Sequence, residues 1–444
     1  MELQLFNSLE NRINKLNFQS GQVINIYLCG PTVYDHIHIG NLRSVIIFDI
    51  LHRLLLYLKV KVNYVQNITD IDDKIIIKAQ QGQKSEKDIG DYYTQCYLAN
   101  LTRYNILFPT HLPRVTNYVP QVQKFIRDLL EKGFAYQSAG EVFFRVKKSP
   151  EYGKLSGQNL EKLKSGQETV AENKKNERDF VLWKKTLEGI TWNSLWGVGR
   201  PGWHTECAVF IQEFFQGQTI DIHGGGNDLL FPHHENERIQ YLTYNGRELS
   251  KIWLHIAHIH WKSEKMSKSL GNVILAEHFA QKYDPNALRY LILNSHYNQV
   301  INLSEELIQQ AIYHTEKIKN LLKKLNFCLY IEKIKISKWE TWEKEEVINS
   351  LLNNLNTIKV LYFLEEIITF LNKSIDKKET SNVKFLEAVR DFYLILNILG
   401  FKFSLPTYNS EIKLLIKKWQ DLREKGDYSQ ADQIRKQLQE QEIL

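Results

Sequence analysis

Three groups of residues in this chain could do chemistry. His38-Ile-Gly-Asn41 stands between a β-rich run and an apolar helical stripe, which puts it at a helix N-terminus. Free N–H groups and the helix dipole attract phosphate there. Gly40 would let a flat ring approach the backbone, and His38 could donate to phosphate oxygens. A plain N-cap with a histidine in its turn explains the same residues equally well. Lys265-Met-Ser-Lys-Ser269 sets two lysines among hydroxyls, a basic loop suited to a triphosphate. In a chain where lysine far outnumbers arginine, an ordinary solvated loop is the plainer reading. Third, His233 and Glu237 stand four apart and share a face if helical. With the thiols of Cys29 and Cys207 they make a donor set suited to tetrahedral Zn²⁺. By spacing alone, two buried cysteines and a surface His–Glu pair are the better reading. His204 and His234 are neighbouring imidazoles that could replace His233.

The elements that must position these groups follow from periodicity. Val23–Leu28 reads as a strand, and residues 62–66 as the next one. Between them Ile47, Ile50, Leu51, Leu54, Leu55 and Leu58 fall on one helix face. A strand, a glycine loop and a helix N-terminus form a common nucleotide-binding arrangement. Residues 84–135 look mostly helical, 136–200 less regular, with a polar Lys-rich stretch near 161–178. Sheet character returns at 219–223 and 252–261, and from Ser304 the pattern is helical to the end. Gly224-Gly-Gly226 fits either a close nucleotide approach or a tight turn, and Asp228 beyond it either a substrate contact or a turn residue.

Composition excludes several classes. The chain has 444 residues, 43% hydrophobic and 24% charged, with four cysteines. That excludes a disulfide scaffold and predicts a soluble, multi-domain protein in a reducing compartment. No window is apolar enough for a membrane helix, and the N-terminus lacks the pattern of a signal or transit peptide. A net charge of +6 permits a nucleic-acid partner without demanding one, and residues 301–444 are close to neutral.

The first two motifs lie about 230 residues apart, and together they resemble the HIGH and KMSKS signatures of class I aminoacyl-tRNA synthetases. Other segments narrow the resemblance to the cysteinyl-tRNA synthetases. They are Tyr27-Leu-Cys-Gly-Pro-Thr-Val-Tyr-Asp35, Asn67-Ile-Thr-Asp-Ile-Asp-Asp-Lys74, Asp179-Phe-Val-Leu-Trp-Lys184, Trp196-Gly-Val-Gly-Arg-Pro-Gly-Trp-His204, Asp221-Ile-His-Gly-Gly-Gly-Asn-Asp228 and Phe231-Pro-His-His-Glu-Asn-Glu237. The likeness covers at least residues 3–300. Asn41 departs from the fourth position of the HIGH pattern, where an amide can still hydrogen-bond a nucleotide.

The resemblance implies an α/β fold: a Rossmann-like parallel-sheet catalytic domain split by an insertion, then an all-α helical domain. The expected division is 1–110 and 201–300 for the two catalytic halves, 111–200 for the insertion, 301–400 for a tRNA-binding bundle and 401–444 for a shortened anticodon-binding region. It implies a cysteine–tRNA ligase reaction through cysteinyl-adenylate. His38, Gly40, Asn41, Lys265 and Lys268 would bind ATP, with His38 and the two lysines catalytic. Thr69 and Trp203 would line the substrate pocket. Cys29, Cys207, His233 and Glu237 would hold one Zn²⁺ per chain, with Mg²⁺ accompanying ATP. Cys96 and Cys328 match no motif and are expected in the core. A hydrophobic pocket separates close analogues by only about 1–3 kcal/mol, whereas zinc prefers a soft thiolate, so no editing site is expected.

Expected partners are tRNA(Cys), ATP and L-cysteine, with no membrane and a monomeric state. The expected setting is a bacterial-type cytoplasm, or a plastid stroma if the gene is organellar. Ile412 to Arg423 places basic residues on one face, and Ala431-Asp-Gln-Ile-Arg435 resembles the family's terminal helix, after which members usually add a β-containing segment; this chain stops at Leu444. Two rivals are a cysteine ligase acting on an amino sugar and a non-catalytic tRNA-binding paralogue.

Overall fold

The structure is a computed structural model that describes residues 1–158, 173–261, 264–266, 271–334, 345–441 and 443. The chain begins with an antiparallel hairpin of β1 (Glu2–Asn7) and β2 (Arg12–Asn17). Then come β3 (Val23–Leu28), α1 (Ile39–Tyr57) and β4 (Lys61–Gln66), the expected β-α-β unit. β3 and β4 are parallel. α1 is buried almost all round, with Leu42, Ile46, Ile50, Leu51 and Leu54 each 0% exposed, because it is packed between the sheet and the C-terminal helices. That explains why its apolar residues exceed one stripe.

Next come α2 (Asp73–Gly82), α3 (Glu86–Arg103) and α4 (Val119–Glu131). The stretch expected to be mostly helical is interrupted between α3 and α4. There His111 and Arg114 bridge in parallel to Val65 and Ile68, extending the sheet at its β4 edge.

The insertion is more regular than its composition predicts. β5 (Ala135–Ser138), β6 (Glu141–Phe144), β7 (Phe180–Lys185) and β8 (Gly199–Pro201) form a four-stranded antiparallel sheet. Its core of Val142, Phe144, Leu182 and Trp183 packs on α4. The strands are short, and beyond the β5–β6 hairpin they are separated by long connections, so period-two alternation is too brief to read. Most of the Lys-rich stretch near 161–178 lies outside the described residues.

α5 (Trp203–Phe214) leads back to the parallel sheet through β9 (Ile220–Gly226), α6 (Glu235–Asn245) and β10 (Ser250–Ile256). The strand order is β10-β9-β3-β4, all parallel. Gly224 to Gly226 lie within β9, so the tight-turn reading is corrected. A Cβ on Gly224 would sit 2.2 Å from the Leu254 carbonyl oxygen and 2.7 Å from the Phe48 ring, so strand and helix packing require glycine there.

β11 (Ile259–Trp261), β12 (Glu264–Lys265), α7 (Ala276–Lys282), α8 (Pro285–Leu293) and β13 (Ile301–Leu303) follow, with the three strands forming a small sheet. Among the described residues the remainder is mainly helical, as expected: α9 (Glu305–Ile331), α10 (Glu345–Leu352), α11 (Thr357–Asp376), α12 (Val383–Ile398), α13 (Ser410–Glu424) and α14 (Tyr428–Glu440). Buried Arg289 of α8 ties these parts together: it donates to Asp49 of α1 at 2.8 Å and to the Leu399 carbonyl at 3.1 Å. No helix among the described residues is long and apolar enough to cross a membrane.

Candidate active site and metal centre

In an open parallel sheet, ligands bind beyond the carboxyl ends of the strands, where the strand order reverses. Here that point lies between β3 and β9. Cys29 is the residue after β3, and its N–H donates to the Gly224 carbonyl at 3.1 Å. Gly30 must be glycine, because a Cβ would overlap the Asn67 carbonyl oxygen at 1.7 Å. The next turn is fixed by Thr69 N–H to the Pro31 carbonyl and Val33 N–H to the Thr69 carbonyl, both 3.1 Å.

Cys29, Cys207 of α5, His233 in the turn before α6 and Glu237 of α6 converge here, with one donor atom of each within 4.8 Å of the others. The His–Glu pair is buried, not on the surface. The sulfurs are 3.8 Å apart, Cys207 Sγ lies 3.6 Å from His233 Nε2, and Cys29 Sγ lies 3.3 Å from Glu237 Oε1. Metal bonds of about 2.3 Å to sulfur and about 2.0 Å to nitrogen put two sulfurs of a tetrahedron about 3.8 Å apart, and sulfur and nitrogen about 3.5 Å apart. The sulfur–sulfur and sulfur–nitrogen separations fit a tetrahedral divalent ion, whereas His233 Nε2 and Glu237 Oε1 are hydrogen-bonded at 2.6 Å and would part to about 3.3 Å to hold one. Cys29, His223, His234 and Glu237 also fall within the same 4.8 Å limit, but that set has only one sulfur.

The surroundings orient these donors. His233 Nε2 lies 2.6 Å from Glu237 Oε1, and His223 Nε2 lies 2.7 Å from Glu237 Oε2. Burial alone would raise the Glu237 carboxyl, but the two imidazoles hold it well below its ordinary value. Burial likewise opposes charge on His233, yet Glu237 and Cys207 raise it to about 10. His204 Nδ1 lies 2.9 Å from His233 Nδ1. Burial and the charge on His233 push His204 down to about 3, so it is neutral and accepts from His233. That leaves His233 Nε2 facing the sulfurs. Burial and the neighbouring Cys207 and Glu237 raise the Cys29 thiol.

The structure thus sorts the two substitute imidazoles. His204 stands behind His233, and His234 Nδ1 turns to His255 Nε2 at 2.8 Å, with His255 Nδ1 2.8 Å from Ser8 Oγ. His223 and His255 were not singled out from sequence. His223 lies in the quoted Asp221-to-Asp228 segment, but no local spacing links a strand residue to Glu237.

A cavity of about 370 Å³ opens beside the sulfurs, lined among others by Cys29, His38, Gly40, Asn41, Trp203 and Asp228. His38 is the N-cap of α1, and its N–H donates to Asn41 Oδ1 at 3.0 Å. The plain N-cap reading is therefore correct as geometry, and it also sets this helix end against the cavity. The two signature motifs meet at this point. Ile39 N–H donates to the Ile274 carbonyl at 2.9 Å, Ala276 N–H to Ile37 at 2.9 Å, and a Cβ on Gly40 would lie 3.3 Å from Met266 Cε. Lys265 is placed through its backbone, paired with His260. Lys268 lies outside the described residues. Trp203 is 41% exposed, stacks over His233 at 4.2 Å between ring centres and lines the cavity. Thr69 is buried, and its hydroxyl donates to Glu206 at 3.1 Å, behind the wall. Cys96 and Cys328 are half-buried; Cys328 packs against the main core, while Cys96 sits on the outer face of α3.

Comparison with known proteins shows the family of the chain. Residues 15–313 match the model for tRNA synthetases class I (C) catalytic domain. The cysteine–tRNA ligase of Mycoplasma mycoides subsp. mycoides is 44% identical with both chains covered in full. That of Onion yellows phytoplasma is 39% identical, with 98% of each covered. Among solved structures, Mycobacterium tuberculosis methionyl-tRNA synthetase superposes with a TM-score of 0.60 at 13% identity, over 85% of this chain and 89% of that one, which shows a shared fold. With its sulfur-bearing donor set at the switch point and its two joined signature motifs, the chain belongs to the cysteine–tRNA ligase family of class I tRNA synthetases.

Proposed function

We propose that this chain ligates cysteine to tRNA(Cys) in two steps. The cysteine carboxylate attacks the α-phosphorus of ATP, and the P–O bond to pyrophosphate breaks, giving cysteinyl-adenylate. The terminal 2′-OH of the tRNA then attacks the acyl carbon, its proton is lost and AMP leaves. The observation that carries this reading is the cluster of Cys29, Cys207, His233 and Glu237, which meets the cavity at the α1 N-terminus through Cys29.

Substrate supplies the nucleophile, so the protein's work is positioning and electrostatic stabilisation. His38, Gly40 and Asn41 bind ATP at the helix end, with His38 donating to phosphate. Lys265 and Lys268 neutralise the polyphosphate, and Mg²⁺ accompanies ATP. Trp203 packs on the bound amino acid, and Thr69 holds the wall through Glu206. Cys29, Cys207, His233 and Glu237 hold one Zn²⁺, which when bound supplies a soft Lewis acid that favours a thiolate over a hydroxyl.

The test is cysteine-dependent exchange of pyrophosphate into ATP, followed by transfer of labelled cysteine to tRNA(Cys). Both are expected, with Lys268→Ala losing exchange. Exchange with transfer only to an amino sugar would replace tRNA as the acceptor, and tRNA binding without exchange would remove the enzymatic reading.

A further inference from the structure

A buried cation stands where the two signature motifs are joined. Arg43 lies on α1, about one turn beyond Gly40, and is 1% exposed. Burial pushes its guanidinium down to about 10, so it stays charged at neutral pH. Four backbone carbonyls answer it. Nη1 donates to Ala257 at 2.8 Å and to His258 at 2.7 Å, and Nη2 donates to His296 at 3.1 Å and to Gln299 at 2.6 Å. Burying a charge is costly unless hydrogen bonds replace its water, so the guanidinium and these carbonyls hold one another in place.

The two arms of the fork serve different segments. Ala257 and His258 join β10 to β11, and His296 and Gln299 precede β13. These segments are the roots of the small sheet, in which β11 pairs with both β13 and β12. Strand β12 ends at Lys265, the first residue of the Lys265-to-Ser269 motif. Met266, the next residue, is 3% exposed and lies over the α1 N-terminus, where a Cβ on Gly40 would be 3.3 Å from its Cε. Helix α1 therefore meets this sheet at two points: Arg43 at the root, and Gly40 beside the residue after β12. Two residue pairs join β11 to β12. A ribbon that short does not hold its own direction in water, so it takes its direction from the root.

We infer that Arg43 is a positioning residue for the triphosphate of ATP: it fixes the root of the small sheet on α1, and so sets the strand that carries Lys265 against the α1 N-terminus. Arg43 does not line the cavity beside the sulfurs, so it acts through the backbone it holds. The inference rests on the ligase reading for its choice of ATP. Lysine at this position keeps the charge but brings one nitrogen in place of two arms, so it can answer one segment and not both.

The experiment measures equilibrium binding of ATP and of AMP to the full chain, with Mg²⁺ and without cysteine, so that no turnover is needed. AMP shares the base, ribose and α-phosphate and lacks the outer phosphates. The parent should bind ATP more tightly than AMP. Arg43→Lys and Arg43→Met should each weaken ATP about tenfold more than they weaken AMP. In pyrophosphate exchange, KM for ATP should rise while KM for cysteine stays at the parental value. Thermal melting and bound Zn²⁺ identify the folded chains. The Met variant leaves the carbonyls unanswered; if it does not fold, the Lys variant decides. A folded Lys variant with the parental preference for ATP over AMP would overturn the inference. So would equal weakening of both nucleotides, which a merely loosened cavity wall would give. A parent with no preference for ATP over AMP would remove the ligase reading and this role together, whereas a preference kept by the variants removes the role alone.

Discussion

Replacing His223 tests whether the metal donors act as a braced set. His223 is fully buried on β9, stacked on Trp253 with ring centres 4.5 Å apart. Its Nε2–H donates to Glu237 Oε2 at 2.7 Å, while Oε1 of the same carboxylate faces His233 and Cys29. His223→Leu keeps the apolar packing and deletes this donor. A hydrogen bond to a charged group contributes about 1.5–3 kcal/mol. At about 1.4 kcal/mol per decade, that is roughly tenfold to a hundredfold in Zn²⁺ affinity, within the range of outer-shell substitutions at metal sites. His223→Gln can place an amide N–H near the same point and should recover most of the loss. Affinity is read by competition with a chromogenic chelator, with thermal melting to confirm that each variant is folded. Binding by the folded Leu variant within twofold of the parent would refute the reasoning, as would a Gln variant no better than Leu.

Three further outcomes are expected. Zn²⁺ uptake at neutral pH should release protons, because His233 without metal is raised to about 10 and the Cys29 thiol lies above its usual value. Affinity should therefore rise with pH, and titration in weak buffer with no proton release would contradict it. Gly30→Ala should abolish metal binding and activation even if soluble, since its Cβ would fall 1.7 Å from the Asn67 oxygen and must push the β3 and β4 ends apart; a folded variant with parental activity would show that this approach is not rigid. Asp49→Ala should destabilise the chain by about 3–5 kcal/mol by leaving Arg289 buried and unpaired, since Asp49 also accepts from Arg53 at 3.0 Å and Leu107 N–H at 2.9 Å. Urea unfolding reads this, and a loss below about 1 kcal/mol would mean that the guanidinium finds solvent.

Local pattern carried much of the architecture. The β-α-β start, the strand at 219–223 and the helical C-terminal part were legible, because a strand or helix facing a core repeats its apolar residues at a fixed period. The insertion sheet was not legible: its strands are three to six residues long, and β6 and β7 are divided by a long connection. The break between α3 and α4 escaped for a related reason, since its extended residues pair only by isolated bridges to β4.

The sequence by itself determined the family and nominated the groups proposed to react. Cys29, Cys207, His233, Glu237 and the two signature motifs are specified by residue type and by the segments around them. Only the tertiary structure decided how they work together. It put His233 rather than His204 against the sulfurs, brought His223 to brace Glu237, joined residues 37–39 to 274–276, and set Asp73 against both Lys184 and Arg200. Each of these is a contact between residues far apart in the chain, set by how strands order and helices cross. Such contacts leave no period in the sequence, and the energies at stake, the burial of charge and the pairing of donors, exist only once the chain has closed around them.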